Sequence, residues 1–233
     1  MKCGTLYHIP PQGDAWIWTE WFFRFAGSFQ VTGEAADTLQ CNFFSSLREK
    51  DERNDLPILH FDPDHDQEEY RIVVHLRTGD IVLPKSPAFL PNIKRQFDEV
   101  LEGFKVPHYY FIAEDLNTGD GPPTRFSSLP EWFKGSRVTY LNNLSVISSQ
   151  YHMMNGDALV TTGSGFTLLP SVLGWRPIVI HGQDKRGPAP PLEHHDWLMT
   201  DQDGIILDKT LPQIRSRVVM KYDITSTLCG KRK

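Results

Sequence analysis

An arginine placed where an apolar run ends is the first feature of this chain with chemistry in it. Arg77 follows Arg71–Leu76 (RIVVHL) and precedes Thr78, Gly79 and Asp80. β-Branched and aliphatic residues at that density read as a strand. Side chains alternate along a strand, so His75 and Arg77 share a face and Arg77 emerges at the end. There its planar fork of donors can take two phosphate oxygens at once. Gly79 lets the backbone turn closely under a ligand. An ordinary ion pair of Arg77 with Asp80 or Asp115 is the alternative reading.

A second segment, Asp157-Ala158-Leu159-Val160-Thr161-Thr162-Gly163-Ser164-Gly165-Phe166, reads as a strand, a turn of small residues and the start of a short helix over 166–174. Such a turn presents unpaired amides and the positive end of the helix dipole to an anion. Thr162 and Ser164 add hydroxyl donors, or else simply cap the helix. The chain has neither Gly-x-x-x-x-Gly-Lys-Ser/Thr nor Gly-x-Gly-x-x-Gly, so the P-loop and dinucleotide readings fail. Taken together, Arg77 and the turn over 162–165 describe a site for a diphosphate.

Other constellations are weaker. Asp62-Pro63-Asp64 and Asp64-His65-Asp66 have the spacing to bind Mn²⁺ or Mg²⁺ through carboxylates. No clear strand leads into them, and clustered like charge more often forms a solvated loop. Glu193-His194-His195-Asp196 carries ligand types, but neighbours on a loop seldom converge on a metal without further partners. Thr162-Gly163-Ser164-Gly165 lacks the glycine two residues before serine that a nucleophile elbow requires. Trp18, Trp21, Phe22 and Phe25 stand at helical spacing; rings in that pattern could hold a glycan, but core packing is the better expectation.

The elements that must position these groups are regular only after Tyr70. Helical periodicity over Asn92–Phe104 places Ile93, Phe97, Val100, Leu101 and Phe104 on one face. Strands are expected at His108–Ala113, Arg137–Leu141, Asp157–Thr161 and Pro177–Ile180, a helix over Leu144–Met154 and a closing helix over Leu211–Tyr222, with 184–203 rich in loops. Alternation of this kind predicts an α/β fold, a doubly wound parallel sheet with helices on both faces. The chain divides into an irregular amino-terminal region, 1–70, and a Rossmann-like domain, 71–233. In such sheets ligands sit beyond the carboxyl ends of the strands. The segments expected there are 77–80, Glu114-Asp115, Asn142-Asn143, 162–165 and His181-Gly182.

Composition narrows the class further. Lys and Arg total 24 against 29 Asp and Glu, a net charge of −5, which argues against nucleic-acid binding through bulk positive charge. No apolar run reaches the ~18 residues of a membrane span, and the first residues lack a charged flank followed by an apolar core. Cys3, Cys41 and Cys229 are too scattered for a disulfide framework or a zinc ribbon. A reducing, cytoplasmic setting is the expectation for the chain as written, and the secretory pathway for a piece of a longer protein.

At this point the residues reach a resemblance. His75-Leu76-Arg77-Thr78-Gly79-Asp80 resembles the His-x-Arg-x-Gly-Asp signature of the fucosyltransferase superfamily, which includes the α1,2-, α1,6- and protein O-fucosyltransferases. Phe111-Ile112-Ala113-Glu114-Asp115 is similar to its second, strand-borne Ala-Thr/Ser-Asp segment, and Asp157–Phe166 to its third. The match covers about Arg71–Ile180. It implies a GT-B-like fold and metal-independent, inverting transfer of a sugar, most plausibly L-fucose from GDP-fucose, to a glycan or protein hydroxyl. No cofactor beyond the donor is implied. Arg77 would hold the β-phosphate and stabilise charge as the glycosidic bond breaks. His75 would contact the nucleoside or sugar, Asp157 the guanine edge, and Asp115 the nucleotide pocket. Gly79 and Asp80 would complete the strand-end segment, while Thr162, Gly163, Ser164, Gly165 and Phe166 close on the diphosphate and sugar.

Two positions depart from the pattern. Many members carry a second Arg where this chain has Thr78. Leu6–Gly13 resembles the strand and Pro-Pro-Glu-Gly turn that opens some protein O-fucosyltransferases, but the proposed catalytic Glu is Gln12 here. An amide does not take up a proton, so either Asp14 or another carboxylate is the base, or the acceptor is activated differently. Gln12 and the short amino-terminal region favour an alternative, a non-catalytic nucleotide-sugar-binding or partner protein. A metal-dependent transferase using Asp62, Asp64 and Asp66 is a further alternative.

Overall fold

A strand buried on both faces needs apolar side chains at nearly every position, and β1 (Glu69–Leu76) meets that demand from Tyr70 onward with few exceptions. The computed structural model describes residues 68–219 apart from 79–81, 83, 85, 116–119, 162–164, 168–169, 172–177, 183–196 and 208–209. Within them lie β2 (Val106–Ala113), β3 (Arg137–Asn142), β4 (Ala158–Thr161), β5 (Ile178–Gly182) and β6 (Trp197–Thr200). The six form one sheet in the order β3-β2-β1-β4-β5-β6, with every neighbouring pair parallel. The expected α/β class and parallel sheet are therefore present.

Chain order and sheet order together locate the site. From β1 the chain steps outward to β2 and β3, then returns across the sheet to β4 on the other side of β1. The strand order thus reverses between β1 and β4, where doubly wound sheets open a crevice at their carboxyl edge. The helices divide accordingly. Helix α1 (Phe89–Leu101) turns Phe89, Leu90, Ile93, Phe97, Val100 and Leu101 inward, onto the face of Tyr70, Ile72, Val74 and Leu76. The short α2 (Leu129–Trp132) covers the same face through Leu129. Helix α3 (Val146–Asn155) packs Met153 on the opposite face, against Val73, Tyr110, Ile112, Leu141 and Leu159. Its start is fixed by Ser145, whose hydroxyl accepts the Ser148 amide at 3.1 Å.

Several boundaries differ from the sequence reading, each for a physical reason. Helix α1 begins at Phe89 and ends at Leu101, where Gly103 takes φ 69° and lets the Phe104 amide return to the Leu101 carbonyl. Strand β1 starts at Glu69, within the region 1–70 read as irregular. Glu69 is buried because Arg137 donates to its carboxylate at 2.6 Å and His108 lies 3.2 Å from it. His181 and Gly182 belong to β5 rather than following it. The region read as loop contains β6, an edge strand of four residues held by its pairing with β5. A closing helix is present over residues 211–219, with Ile214 and Val218 in the core.

Candidate functional site

The carboxyl end of β1 carries the first pair of candidates. His75 is buried on the α3 side of the sheet, and Arg77, half-buried, stands two residues further on. Burial, and then the neighbouring Arg77 guanidinium, lower the His75 pKa to about 4. The ring is therefore neutral at pH 7, and the positive charge at this corner belongs to Arg77. The Thr78 hydroxyl donates to the Glu114 carbonyl and ties the end of β1 to the end of β2.

Across the switch point, β4 ends at the buried Thr161. Gly165–Thr167 then form a 3₁₀ turn, and residues 170–171 are helical. The Phe166 ring meets the His75 ring at 5.3 Å between centroids, tilted by 36°. Two segments about ninety residues apart in the chain thus touch at the crevice where the strand order reverses. Gln150, from α3, joins them by donating to the Phe166 carbonyl at 2.8 Å.

Asp115 also lies at the carboxyl edge, after β2, and is buried. Its carboxylate accepts the Thr124 amide at 2.6 Å. Its backbone is bracketed by Asn143, which accepts the Asp115 amide at 3.0 Å and donates to the Asp115 carbonyl at 2.7 Å. Asn143 adopts φ 57°, a left-handed conformation that asparagine tolerates better than most residues. These bonds lock the ends of β2 and β3 together beside the crevice.

Asp157 is placed elsewhere. It precedes β4, level with Arg71 rather than Arg77, and its carboxylate accepts the Arg71 amide at 2.8 Å. Six residues of strand separate Arg71 from Arg77, about 20 Å, so Asp157 sits at the amino edge of the sheet. The guanine contact implied by the resemblance does not fit that position; the carboxylate pins β4 to β1.

Gly79, Asp80, Thr162, Gly163 and Ser164 lie outside the described residues, as do Gln12, Asp14, Trp16–Phe25, Asp62, Asp64, Asp66 and 193–196. Almost all of the region 1–70 does too. Among the described residues no three His, Cys, Asp or Glu side chains come together as a metal site would require. No helix among them is long and apolar enough to cross a membrane. Gln150 is marked by no sequence motif, and Asn143 and Thr78, though in segments expected at the strand ends, have bonding partners that the sequence does not indicate.

The fold and these contacts define a class: an open, doubly wound parallel α/β sheet with a strand-end arginine at its switch point. No family model matches the chain, and no curated protein matches it. Among solved structures, E. coli heptosyltransferase WaaC with ADP is similar at a TM-score of 0.40 and 15% identity, over 72% of this chain and 47% of that one. The chain therefore spans about half the length of that enzyme.

Proposed function

We propose that this chain is a glycosyltransferase that uses a nucleotide-activated sugar, with GDP-fucose as the donor. The observation that carries the reading is the His75–Phe166 contact at the β1/β4 switch point, which joins the first and third motifs of the fucosyltransferase resemblance. In this reading Arg77 takes the diphosphate and stabilises the departing β-phosphate, with the segment 162–165 closing on it. Neutral His75 contributes no charge and packs against the nucleoside or sugar. Asp14 takes the proton from the acceptor hydroxyl, a glycan or a protein side chain, in a direct displacement with inversion. A GT-B-like arrangement, with the region 1–70 on the acceptor side, belongs to the same proposal.

Thermal-shift screening against nucleotide sugars tests donor binding directly. GDP-fucose should stabilise the protein, and Arg77→Ala should weaken binding of GDP by about tenfold in calorimetry, since a charge-assisted phosphate contact is among the stronger hydrogen bonds. A protein that binds no nucleotide sugar ends the proposal. Turnover should persist in EDTA; activity lost to EDTA and restored by Mn²⁺ would move the Asp62–Asp66 run into the catalytic centre. Donor binding without transfer to any acceptor in a panel would leave a nucleotide-sugar-binding protein.

A further inference from the structure

We infer that Gln150 is a ligand-binding residue of the crevice, its side-chain carbonyl accepting a hydrogen bond from an N–H on the base of a bound nucleotide. The inference rests on the nucleotide reading above and adds to it a residue that no motif contains. Gln150 is 7% exposed. Its amide orientation is fixed, because the Phe166 carbonyl only accepts and so faces the Nε2 donor, 2.8 Å away. The oxygen Oε1 is thereby turned away from Phe166, and it has no hydrogen-bond partner among the described residues. His75, also 7% exposed, likewise leaves Nδ1 without one. Buried polar atoms are nearly always paired, and these two unmet atoms flank the same residue: His75 against the Phe166 ring, Gln150 against its carbonyl.

Their position and surroundings select the ligand group. His75 lies two residues inside Arg77, roughly 7 Å deeper along β1, so a group reaching it passes beyond a diphosphate held at the strand end. Phe166 packs on the apolar cluster of Val73, Met153 and Leu159. An apolar wall with two buried, unmet polar atoms suits a flat ring carrying a few polar atoms at its edge. A hexose bears a hydroxyl on nearly every carbon and would leave most of them without partners there. Gln150 Oε1 is an acceptor, so the base must present an N–H to it.

Calorimetry with GDP, UDP, ADP, CDP and inorganic pyrophosphate tests this on the full chain. Gln150→Met keeps the length of the side chain and removes the acceptor. It should weaken the tightest-binding nucleoside diphosphate about tenfold and leave pyrophosphate unchanged. Equal weakening of pyrophosphate would show Gln150 acting only through the Phe166 turn and would overturn the inference, as would an unchanged nucleotide. A wild-type protein that binds pyrophosphate but gains nothing from any base overturns it while leaving the Arg77 assignment in place. No binding at all removes the proposed function itself. Should the variant fail to fold, the wild-type protein still decides: an analogue methylated on the N–H of the preferred base should bind about tenfold more weakly, and equal affinity refutes the contact.

Discussion

His75 and Arg77 stand two residues apart on one face of β1, yet they carry different charge, and the difference comes from burial. Desolvation first, and Arg77 second, hold the imidazole pKa at about 4, against about 6.5 in the unfolded chain. Because the folded pKa is the lower one, the unfolded state binds the proton first as pH falls. Stability is therefore highest above pH 6.5 and is lost progressively down to about pH 4. Between pH 7 and 4.5 this one group should cost about 2 kcal/mol. His75→Phe removes the titration and retains a ring against Phe166. Urea unfolding at the two pH values should show the wild type losing about 2 kcal/mol more than the variant. Parallel losses would mean that the folded imidazole is charged.

At the scale of elements, the strands were legible because a parallel sheet covered on both faces demands apolar runs, and Arg71–Leu76 and His108–Ala113 supply them. What was not legible depended on partners distant in sequence. Glu69 ends an acidic run and reads as solvated until Arg137, sixty-eight residues on, meets it. Asp157 adjoins a motif, but only the strand register shows that it lies at the amino edge. Gln150 and Asn143 bond to residues sixteen and twenty-eight positions away, so no local spacing marks them. Two substitutions test these assignments. Asp157→Ala leaves the buried Arg71 amide without its acceptor and should cost about 1–3 kcal/mol, with nucleotide affinity of the folded protein unchanged. Gly204, at φ 82°, would place an added Cβ 2.5 Å from the Phe89 carbonyl oxygen. Gly204→Ala should thus destabilise by about 2 kcal/mol or more, from backbone strain and displacement of the turn against α1 together. A denaturation midpoint equal to wild type would show that the turn gives way freely.

Across the whole sheet, the two ends of the strands carry polar groups of opposite purpose. At the amino end charge is consumed internally: Glu69 receives Arg137 and His108, and Asp157 receives the Arg71 amide. His108 also bridges to Thr139 at 2.9 Å and stacks on Tyr110 at 4.1 Å, and its burial keeps its pKa below the ordinary value despite Glu69. At the carboxyl end stand His75 and Arg77, with Gln150 bonded to Phe166 beside the His75 ring, the groups proposed to bind the nucleotide. About 26 Å of strand separates Glu69 from Arg77, and coupling between such distant sites is small. Stability and binding should consequently separate. Glu69→Gln neutralises a buried carboxylate, while Arg137, its partner, is 48% exposed, so solvent screens the pair and the cost should be about 1–2 kcal/mol rather than that of a fully buried pair. In a chain of this size that lowers the melting temperature by about 2–8 °C, with nucleotide affinity intact. Arg77→Ala should do the reverse, moving affinity about tenfold and the melting temperature of the unliganded protein little. Were Glu69→Gln to weaken nucleotide binding as strongly as Arg77→Ala, the amino end would have to be joined to the crevice by a conformational change, and the division of the sheet into a structural edge and a binding edge would be wrong.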